Sequence, residues 1–288
     1  MASLTTIAVL AGSVAVAGFT INSRTDPSPR DAAASIRVVA PTAKARVVHV
    51  TGEDFKFDAP DIIPAGPTEF RFMNKGPSLH HMAILQLADG KTVDDLRAAL
   101  ANPGPPPSWV KELGGPNAPD AGTEANATVM LHPGNYALIC FVDLGGPPHF
   151  AKGMIRPLRV VPAKSNATPP KADVTMNLVD YNFKLSNAIK AGMRTIRVHN
   201  AGRQPHEVEL VKLNPDGTLG EFMKWMEKMD GPPPGKAIGG IAEMAPGMTE
   251  YFTADFTPGN YALVCFVPDA TDGKPHFAHG MAQQIRVK

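Results

Sequence analysis

The segment Pro258–Val267 reads PGNYALVCFV, and Pro133–Val142 reads PGNYALICFV, so almost the same ten residues occur twice in this chain. A second shared segment follows each copy, PHFAKGM at Pro148–Met154 and PHFAHGM at Pro275–Met281. Self-similarity at this distance indicates a duplicated structural unit. The residues between and before these segments therefore decide what the unit is.

The repeat extends over residues 46–162 and 173–288, and it predicts two domains of one kind joined by a polar, proline-rich linker at 163–172. Shared segments upstream align as Phe55-Lys56-Phe57 with Phe183-Lys184-Leu185, Ala65-Gly66 with Ala191-Gly192, and Asn74-Lys75-Gly76 with Asn200-Ala201-Gly202. Within each repeat, apolar residues alternate with polar ones, as in Thr68–Phe72 and Arg194–Val198. Alternation of this kind predicts strands with one face in a core. The fold class predicted is all-β, with two tandem Greek-key β-sandwiches.

Each repeat carries one predicted helix at the same place. In the first repeat Thr92 precedes an amphipathic stretch at Asp94–Ala101, and in the second Thr218 and Glu221 form a capping-box pattern before Phe222–Met229. A helical insertion at equivalent positions indicates duplication of a complete domain. We expect these helices to cover the sandwich rather than to take part in chemistry.

Composition limits the function classes. The chain has 288 residues, 43% of them hydrophobic, which is enough for real cores and excludes a disordered chain. A formal net charge of +1 gives no reason to expect nucleic acid as a partner. Two cysteines alone would suggest a disulfide or two buried thiols, but their repeated context suggests another use.

The N-terminus predicts export. Ile7–Phe19 is an apolar run too short to span a bilayer comfortably, and Ala15-Val16-Ala17 offers a cleavage site, although no basic residue precedes Arg24. We predict a signal peptide or N-terminal membrane anchor at 1–22 and a flexible tether at 23–45. The expected location is periplasmic or extracellular, with the anchor as an alternative to cleavage.

Four residues of metal-ligating type recur in the same order in both repeats. They are His80, Cys140, His149 and Met154 in the first repeat and His206, Cys265, His276 and Met281 in the second. A lone histidine on a strand is usually structural, but two complete copies of one ordered set are hard to explain by chance. A thiolate, two imidazoles and a weak axial thioether suit copper in both oxidation states. We predict two copper ions, one in each domain, and no catalytic residues.

These motifs resemble the cupredoxin family, which includes plastocyanin, azurin and the domains of multicopper oxidases. The resemblance rests on the segment Asn200–His206 and on the H-x-x-x-G-M endings at His149–Met154 and His276–Met281, and it covers about 235 residues. It implies a β-sandwich in each half, copper bound by the residues above, and electron transfer with protein redox partners. Phe141, Phe150, Phe266 and Phe277 are expected to supply an apolar wall beside the ligands.

The sequence departs from the small blue-copper pattern in one respect. Cys140 and His149 are nine positions apart, and Cys265 and His276 are eleven, so an enlarged ligand loop is expected. This leaves open a blue site or a red, nitrosocyanin-like one. Asp143 or Asp269 in these loops could approach the metal, but we expect solvated carboxylates there.

Other histidines and methionines are expected to be structural. His81 neighbours His80, but residues one apart on a strand face opposite ways, so we expect only His80 to bind metal. We expect His279 to be a surface residue near the copper, and His49 and His132 to be structural or exposed. Methionines 223, 226, 229, 244 and 248 are interpreted first as core residues and second as a soft-metal or partner surface.

Two other functions stay open on the sequence alone. One is a copper-dependent oxidoreductase, either like a nitrite reductase or with a red-copper centre; against it, a phenylalanine and not a histidine follows each cysteine, at Phe141 and Phe266. The other is a copper carrier, storage module or inactive scaffold, although both ligand sets look complete.

Overall fold

A computed structural model describes residues 44–102, 104 and 106–288. The predicted signal peptide or anchor at 1–22, and the tether as far as residue 43, lie outside the described residues. In the part of the chain that is described, no helix is long and apolar enough to cross a membrane.

Seventeen β-strands and two α-helices make up the described chain, apart from two short 3-10 helices. The first half contains β1 (Arg46–Glu53), β2 (Lys56–Asp58), β3 (Ile62–Pro64), β4 (Gly66–Asn74), β5 (Ala83–Leu87), α1 (Val93–Leu100), β6 (Val110–Gly114), β7 (Glu124–Leu131), β8 (Gly134–Ile139) and β9 (Ile155–Val161). The second half contains β10 (Val174–Val179), β11 (Asn182–Leu185), β12 (Gly192–Asn200), β13 (His206–Leu213), α2 (Leu219–Met226), β14 (Gly235–Met244), β15 (Thr249–Phe256), β16 (Gly259–Val264) and β17 (Ala282–Val287).

The predicted all-β class, with a short helix in each half, is confirmed. Both helices begin earlier than predicted, at Val93 and Leu219, because Thr92 and Thr218 are N-caps that accept hydrogen bonds from the backbone N–H three residues on. α1 buries Leu96 against the outer face of one sheet, and α2 buries Phe222 in the same way. The helices therefore cover the sandwich as expected.

Two sheets run through both halves. One has the strand order β11-β10-β12-β15-β7-β4-β1-β2, and the other has the order β17-β16-β13-β14-β6-β5-β8-β9-β3. The halves meet where β15 pairs with β7 and β14 pairs with β6. These pairings cover four strand edges that separate sandwiches would have left exposed. The sequence predicted the sandwiches but not this junction, and the domain bounds at 46–162 and 173–288 stay a prediction.

Strand register corrects one part of the repeat alignment. Gly52 pairs with Phe57 across β1 and β2, and Leu178 pairs with Phe183 across β10 and β11. Phe57 therefore corresponds to Phe183, and the alignment of Phe55-Lys56-Phe57 with Phe183-Lys184-Leu185 is wrong by two residues. A short motif that alternates phenylalanine with polar residues can be shifted by two without changing its pattern. In the structure Phe55 corresponds to Tyr181.

One carboxyl group at the junction, that of Glu250, is buried with a single hydrogen-bond partner in the described part of the chain. Glu250 on β15 is fully buried, and its Oε2 accepts a hydrogen bond from the Gly115 N–H at 2.9 Å. Its Oε1 has no hydrogen-bond partner among the described residues. Burial raises the pKa of Glu250 well above its usual value of 4.5.

The Glu250→Gln variant is expected to gain stability relative to the parent as pH rises. A carboxyl whose folded pKa is raised stabilises the fold fully below its unfolded pKa, and this stability is lost as pH rises towards the folded pKa. The difference in unfolding free energy should change by up to about 1.4 kcal/mol per pH unit from about pH 5.5 upwards, and the change should level off as pH passes the raised folded pKa. Urea unfolding of both proteins measures it. Parallel stability curves would contradict the assignment.

Candidate metal centres

The first candidate centre lies where β5 begins and β8 ends. Ala83 pairs with Ile139 across these antiparallel strands, so His80 just before β5 and Cys140 just after β8 come together. His149 begins a 3-10 helix (His149–Lys152) after the following loop, and all three side chains are buried. We call His80, Cys140 and His149 the first centre.

The ligating atoms of the first centre form a triangle. His80 Nδ1 lies 2.9 Å from His149 Nδ1. Cys140 Sγ lies 4.0 Å from His80 Nδ1 and 3.6 Å from His149 Nδ1. Three lone-pair donors therefore converge on one buried point.

The second centre repeats this arrangement with His206, Cys265 and His276. His206 Nδ1 lies 3.0 Å from His276 Nδ1, and Cys265 Sγ lies 3.4 Å from His276 Nδ1. All three side chains are buried, and their ligating atoms lie within 4.8 Å of one another. The structure thus brings together the two imidazoles and the thiol in each half, as the sequence predicted.

The separations fit a single metal ion. Typical bonds to a transition metal are about 2.0 Å from imidazole nitrogen and about 2.3 Å from thiolate sulfur. Two such nitrogens can lie up to about 4 Å apart, and a nitrogen and a sulfur up to about 4.3 Å. The nitrogen–nitrogen and sulfur–nitrogen distances given above for both centres are all shorter than these limits. The donor set of one thiolate and two imidazoles is the one that copper takes in trigonal sites.

The protonation states also fit metal binding. Burial lowers the pKa of His149 and of His276 to about 4, so both imidazoles are neutral near pH 7. Burial raises the pKa of Cys140 to about 12 and that of Cys265 well above its usual value. Each cysteine therefore loses a proton when it binds a metal as thiolate.

The predicted axial methionines lie close to the cysteines through the backbone. Met154 and Met281 are fully buried, and their carbonyl oxygens accept hydrogen bonds from Cys140 N and Cys265 N, each at 3.1 Å. The Met154 methyl group lies beside Gly52, where an added Cβ would be 3.1 Å from it. Axial ligation by both thioethers stays a prediction.

In each centre, one carboxylate that the sequence did not predict orients the first histidine. Asp54 Oδ1 lies 2.5 Å from His80 Nε2, and Asp180 Oδ1 lies 2.9 Å from His206 Nε2. In each pair the Nε2–H donates to the carboxylate, which leaves the Nδ1 lone pair directed at the centre. Burial raises the pKa of Asp54, but hydrogen bonds from His80 and Ser78 outweigh it and hold the pKa below its usual value.

The glycine of each Asn-x-Gly turn makes room for this pair. A Cβ added at Gly76 would lie 2.6 Å from Asp54 Oδ1, and one added at Gly202 would lie 2.5 Å from His206 Nε2. The asparagine closes the turn, because Asn74 Oδ1 accepts from Gly76 N at 3.1 Å and Asn200 Oδ1 accepts from Gly202 N at 2.9 Å. The motif therefore positions the first histidine and its carboxylate together.

Phenylalanines flank each cysteine as predicted. The Phe141 and Phe150 rings meet edge to face at 5.6 Å, and those of Phe266 and Phe277 do so at 5.5 Å. These pairs pack beside the apolar clusters under α1 and α2. An apolar wall on this side keeps water from the sulfur.

The surroundings of the two centres differ at the second histidine. In the first half the Phe55 ring lies 4.8 Å from the His149 ring, with the Lys152 ammonium over Phe55. In the second half Tyr181 takes this place, 5.5 Å from the His276 ring, and its hydroxyl donates to Asp269 Oδ2 at 2.5 Å. We therefore expect different spectra from the two centres.

Asp269 corrects the expectation of a solvated carboxylate in the second ligand loop. It is buried, with Oδ2 3.7 Å from His276 Nε2 and hydrogen bonds from Tyr181, Gln204 and Thr271. These hydrogen bonds, led by that of the Thr271 hydroxyl, hold the pKa of Asp269 far below its usual value. Asp143 remains near the surface, where it accepts hydrogen bonds from Gly145 N and Gly146 N.

His81 contacts backbone and not the first centre. It is buried, and its Nε2 accepts a hydrogen bond from Phe141 N at 2.8 Å. In the second half Glu207 has the same role, since its Oε1 accepts from Phe266 N at 2.8 Å. The equivalence of His81 and Glu207 thus matches the predicted alignment.

The remaining histidines and methionines lie outside both triangles. His49 and His132 are exposed, and the partly exposed His279 contacts Asp272 Oδ1 at 3.1 Å. Met244 is fully buried in the main core. Met223 and Met226 lie on α2 and pack, partly buried, on the apolar cluster beneath it, and Met229 is exposed. His279, Asp272 and Asp269 form a third close group near the second centre.

Comparison with known proteins gave matches among solved structures alone. No protein-family model matches the chain, and no curated protein matches it. An auracyanin from Roseiflexus castenholzii is 21% identical, with 41% of this chain and 99% of that one covered and a TM-score of 0.29. A multicopper oxidase is 14% identical over 86% of this chain and 91% of that one, with a TM-score of 0.28.

The similar structures are cupredoxins. They also include a copper-containing nitrite reductase from Thermus scotoductus, 12% identical over 85% of this chain and 62% of that one, with a TM-score of 0.23. At these identities and TM-scores the likenesses carry no argument about activity. The function of the chain must therefore be inferred from the geometry of the two centres.

Proposed function

We propose that this chain is a copper-binding electron-transfer protein with one mononuclear copper site in each half. The observation that carries the proposal is the duplicated, buried triangle of two imidazole nitrogens and one cysteine sulfur. Each triangle matches the donor set of type 1 copper.

Three residues would hold copper in each half, with a methionine as the weak fourth ligand. They are His80, Cys140 and His149 with Met154, and His206, Cys265 and His276 with Met281. Bound copper supplies one-electron chemistry between its two oxidation states. The chain holds the donors in one arrangement, through the Asp54 and Asp180 hydrogen bonds and the backbone bonds of each cysteine, so that little rearrangement accompanies a change in charge.

Burial favours electron transfer over turnover. The six strong-ligand side chains are at most 2% exposed, which leaves a small molecule little access to them. Phe141 and Phe266 follow the cysteines, so the residue after each cysteine has no imidazole side chain that could bind a second metal. A copper oxidoreductase, either nitrite reductase-like or red-copper, is the alternative, and a copper carrier or storage module is the other. Buried thiolates disfavour the easy release that a carrier needs.

The proposal includes an exported protein with soluble redox protein partners. The signal-like segment at 1–22 supports export. The formal net charge of +1 offers no basis for nucleic-acid binding. The wall of phenylalanines covers one side of each centre, while the aromatic residue beside the second histidine lies towards the surface. This aromatic residue is Phe55 in the first half and Tyr181 in the second, and we expect a redox partner to contact it.

Absorption and electron-paramagnetic-resonance spectra of the copper-loaded protein test the proposal. We expect two coppers per chain, a visible thiolate-to-copper band, reversible one-electron reduction, and nitrite or oxygen consumption at background level. A protein that binds no copper, or binds it without a thiolate band, would refute the proposal. Sustained consumption of nitrite or oxygen would instead establish the oxidoreductase.

A further inference from the structure

A chain of buried hydrogen bonds joins the two centres across the junction. Phe141 N donates to His81 Nε2 at 2.8 Å, and His81 Nδ1 lies 3.3 Å from Asn117 Oδ1. Asn117 Nδ2 donates to Glu207 Oε2 at 3.2 Å, and Phe266 N donates to Glu207 Oε1 at 2.8 Å. We call His81, Asn117 and Glu207 the polar bridge.

We propose that the polar bridge is the route by which single electrons pass between the first and the second centre. The inference rests on the proposed function and goes beyond it, because a pair of independent carriers would need no such connection. Phe141 follows Cys140 and Phe266 follows Cys265, so each end of the bridge is one peptide bond from a ligand residue. Glu207 N also donates to Cys265 Sγ at 3.4 Å, which shortens the second end.

Donors and acceptors follow one another without conflict along the bridge. Because Phe141 N donates to it, His81 Nε2 carries no proton. The single ring proton is therefore on Nδ1 and points at Asn117 Oδ1. Ala118 N also donates to Asn117 Oδ1, at 3.0 Å, which fixes the amide in this orientation. A fully satisfied buried network of this kind is rigid.

Burial gives the bridge a water-free course. Asn117 is 2% exposed, Glu207 is 6% exposed and His81 is 7% exposed. Asn117 belongs to the first half and Glu207 to the second, so their hydrogen bond crosses the junction. Electrons tunnel more readily along covalent and hydrogen bonds than across van der Waals contacts. The bridge supplies a side-chain route between the residues that follow the two cysteines, beside the backbone pairing of β6 with β14.

The transfer is a simple exchange of one electron. The reduced centre loses an electron and the oxidised centre gains it, so the total charge of the chain is unchanged. No covalent bond or hydrogen bond of the bridge forms or breaks, and no proton has to move along it. The bridge residues are therefore positioning residues that set the electronic contact between the two cysteines.

Pulsed reduction of the fully oxidised, copper-loaded chain tests the route. A radical reductant delivers less than one electron per chain, and absorption follows the redistribution of that electron between the centres. Cys140→Ala and Cys265→Ala proteins supply the spectrum and potential of each centre alone, and a Met281→Leu background separates the two if their bands overlap. We expect a phase whose rate does not depend on protein concentration.

Asn117→Ala is expected to slow that phase by about an order of magnitude or more while the spectra and potentials of both centres stay unchanged. Asn126→Ala is the matched control, because Asn126 also joins the halves, through Thr253 N and Thr253 O, but touches neither centre. If Asn117→Ala fails to fold, Glu207→Gln takes its place. The introduced amide oxygen still accepts from Phe266 N, but the introduced NH2 group then faces the NH2 group of Asn117, and two donors cannot form a hydrogen bond.

The outcomes separate the two proposals. A chain that loads no copper refutes the proposed function. A chain that loads both coppers but shows no concentration-independent phase refutes the route alone. An equal slowing in the Asn117 and Asn126 variants would also overturn it, because the bridge would then act only through the stability of the junction.

Discussion

Cys140→Ala is expected to abolish copper binding at the first centre and to leave the second centre intact. The thiolate is the strongest donor of the set, and two neutral imidazoles without it make a much weaker site. The loss of one sulfur from a buried position should cost about 1 kcal/mol of stability, since the cavity is small. The variant should therefore fold, bind one copper per chain, and retain one thiolate-to-copper band.

Cys265→Ala is the matched variant for the second half. It should lose the other band, and the two single-centre spectra should add up to that of the parent. Metal content per chain and electron paramagnetic resonance give the two readouts. Retention of both bands in either variant would mean that the cysteine replaced is no ligand, and the ligand set for that half would be wrong.

Duplication explains why the donors could be predicted from sequence. Each ordered set of histidine, cysteine, histidine and methionine is weak evidence, but a second copy makes coincidence an inadequate explanation. The strands that carry them were also predictable, because alternation in Thr68–Phe72 and Arg194–Val198 reflects one buried face. Fold class and strong donors thus follow from local pattern and its repetition.

The carboxylates beside the donors could not be predicted in the same way. Asp54 meets His80 because β1 runs parallel to β4, so the contact depends on strand pairing and not on a local motif. A signal did exist, since an aspartate precedes the first histidine by 26 positions in both halves. The predicted alignment of Phe55-Lys56-Phe57 was wrong by two residues, so Asp54 was not aligned with Asp180 and the shared spacing was not recognised.

The junction and Asp269 were missed for other reasons. Strands β6 and β14 do not alternate, because residues 112–114 and 239–242 are buried in succession. Their sequences alone do not say whether a strand edge meets solvent or another strand. Asp269 lies in a loop rich in glycine and proline, where carboxylates usually face water. Hydrogen bonds from Tyr181 and Gln204, both distant in sequence, keep it buried.

Asp54→Ala is expected to weaken copper binding at the first centre by about 10- to 100-fold, and Asp180→Ala to do the same at the second. Without the carboxylate, the imidazole proton can move to Nδ1, and the ring is then free to turn its lone pair away from the centre. Competition with a copper chelator measures the affinity, and the distinct bands report each centre separately. In each variant the centre of the other half serves as an internal reference.

Asp54→Asn decides between orientation and charge as the cause. An amide oxygen in place of Oδ1 still accepts from His80 Nε2, so the ring orientation is kept while the negative charge is lost. If orientation dominates, the asparagine variant should recover most of the affinity lost in Asp54→Ala. Asp61→Ala controls for loss of a surface carboxylate, since Asp61 is exposed and pairs with Arg156 instead. Equal affinities in the parent and Asp54→Ala would show that neighbouring backbone contacts alone hold His80 in place.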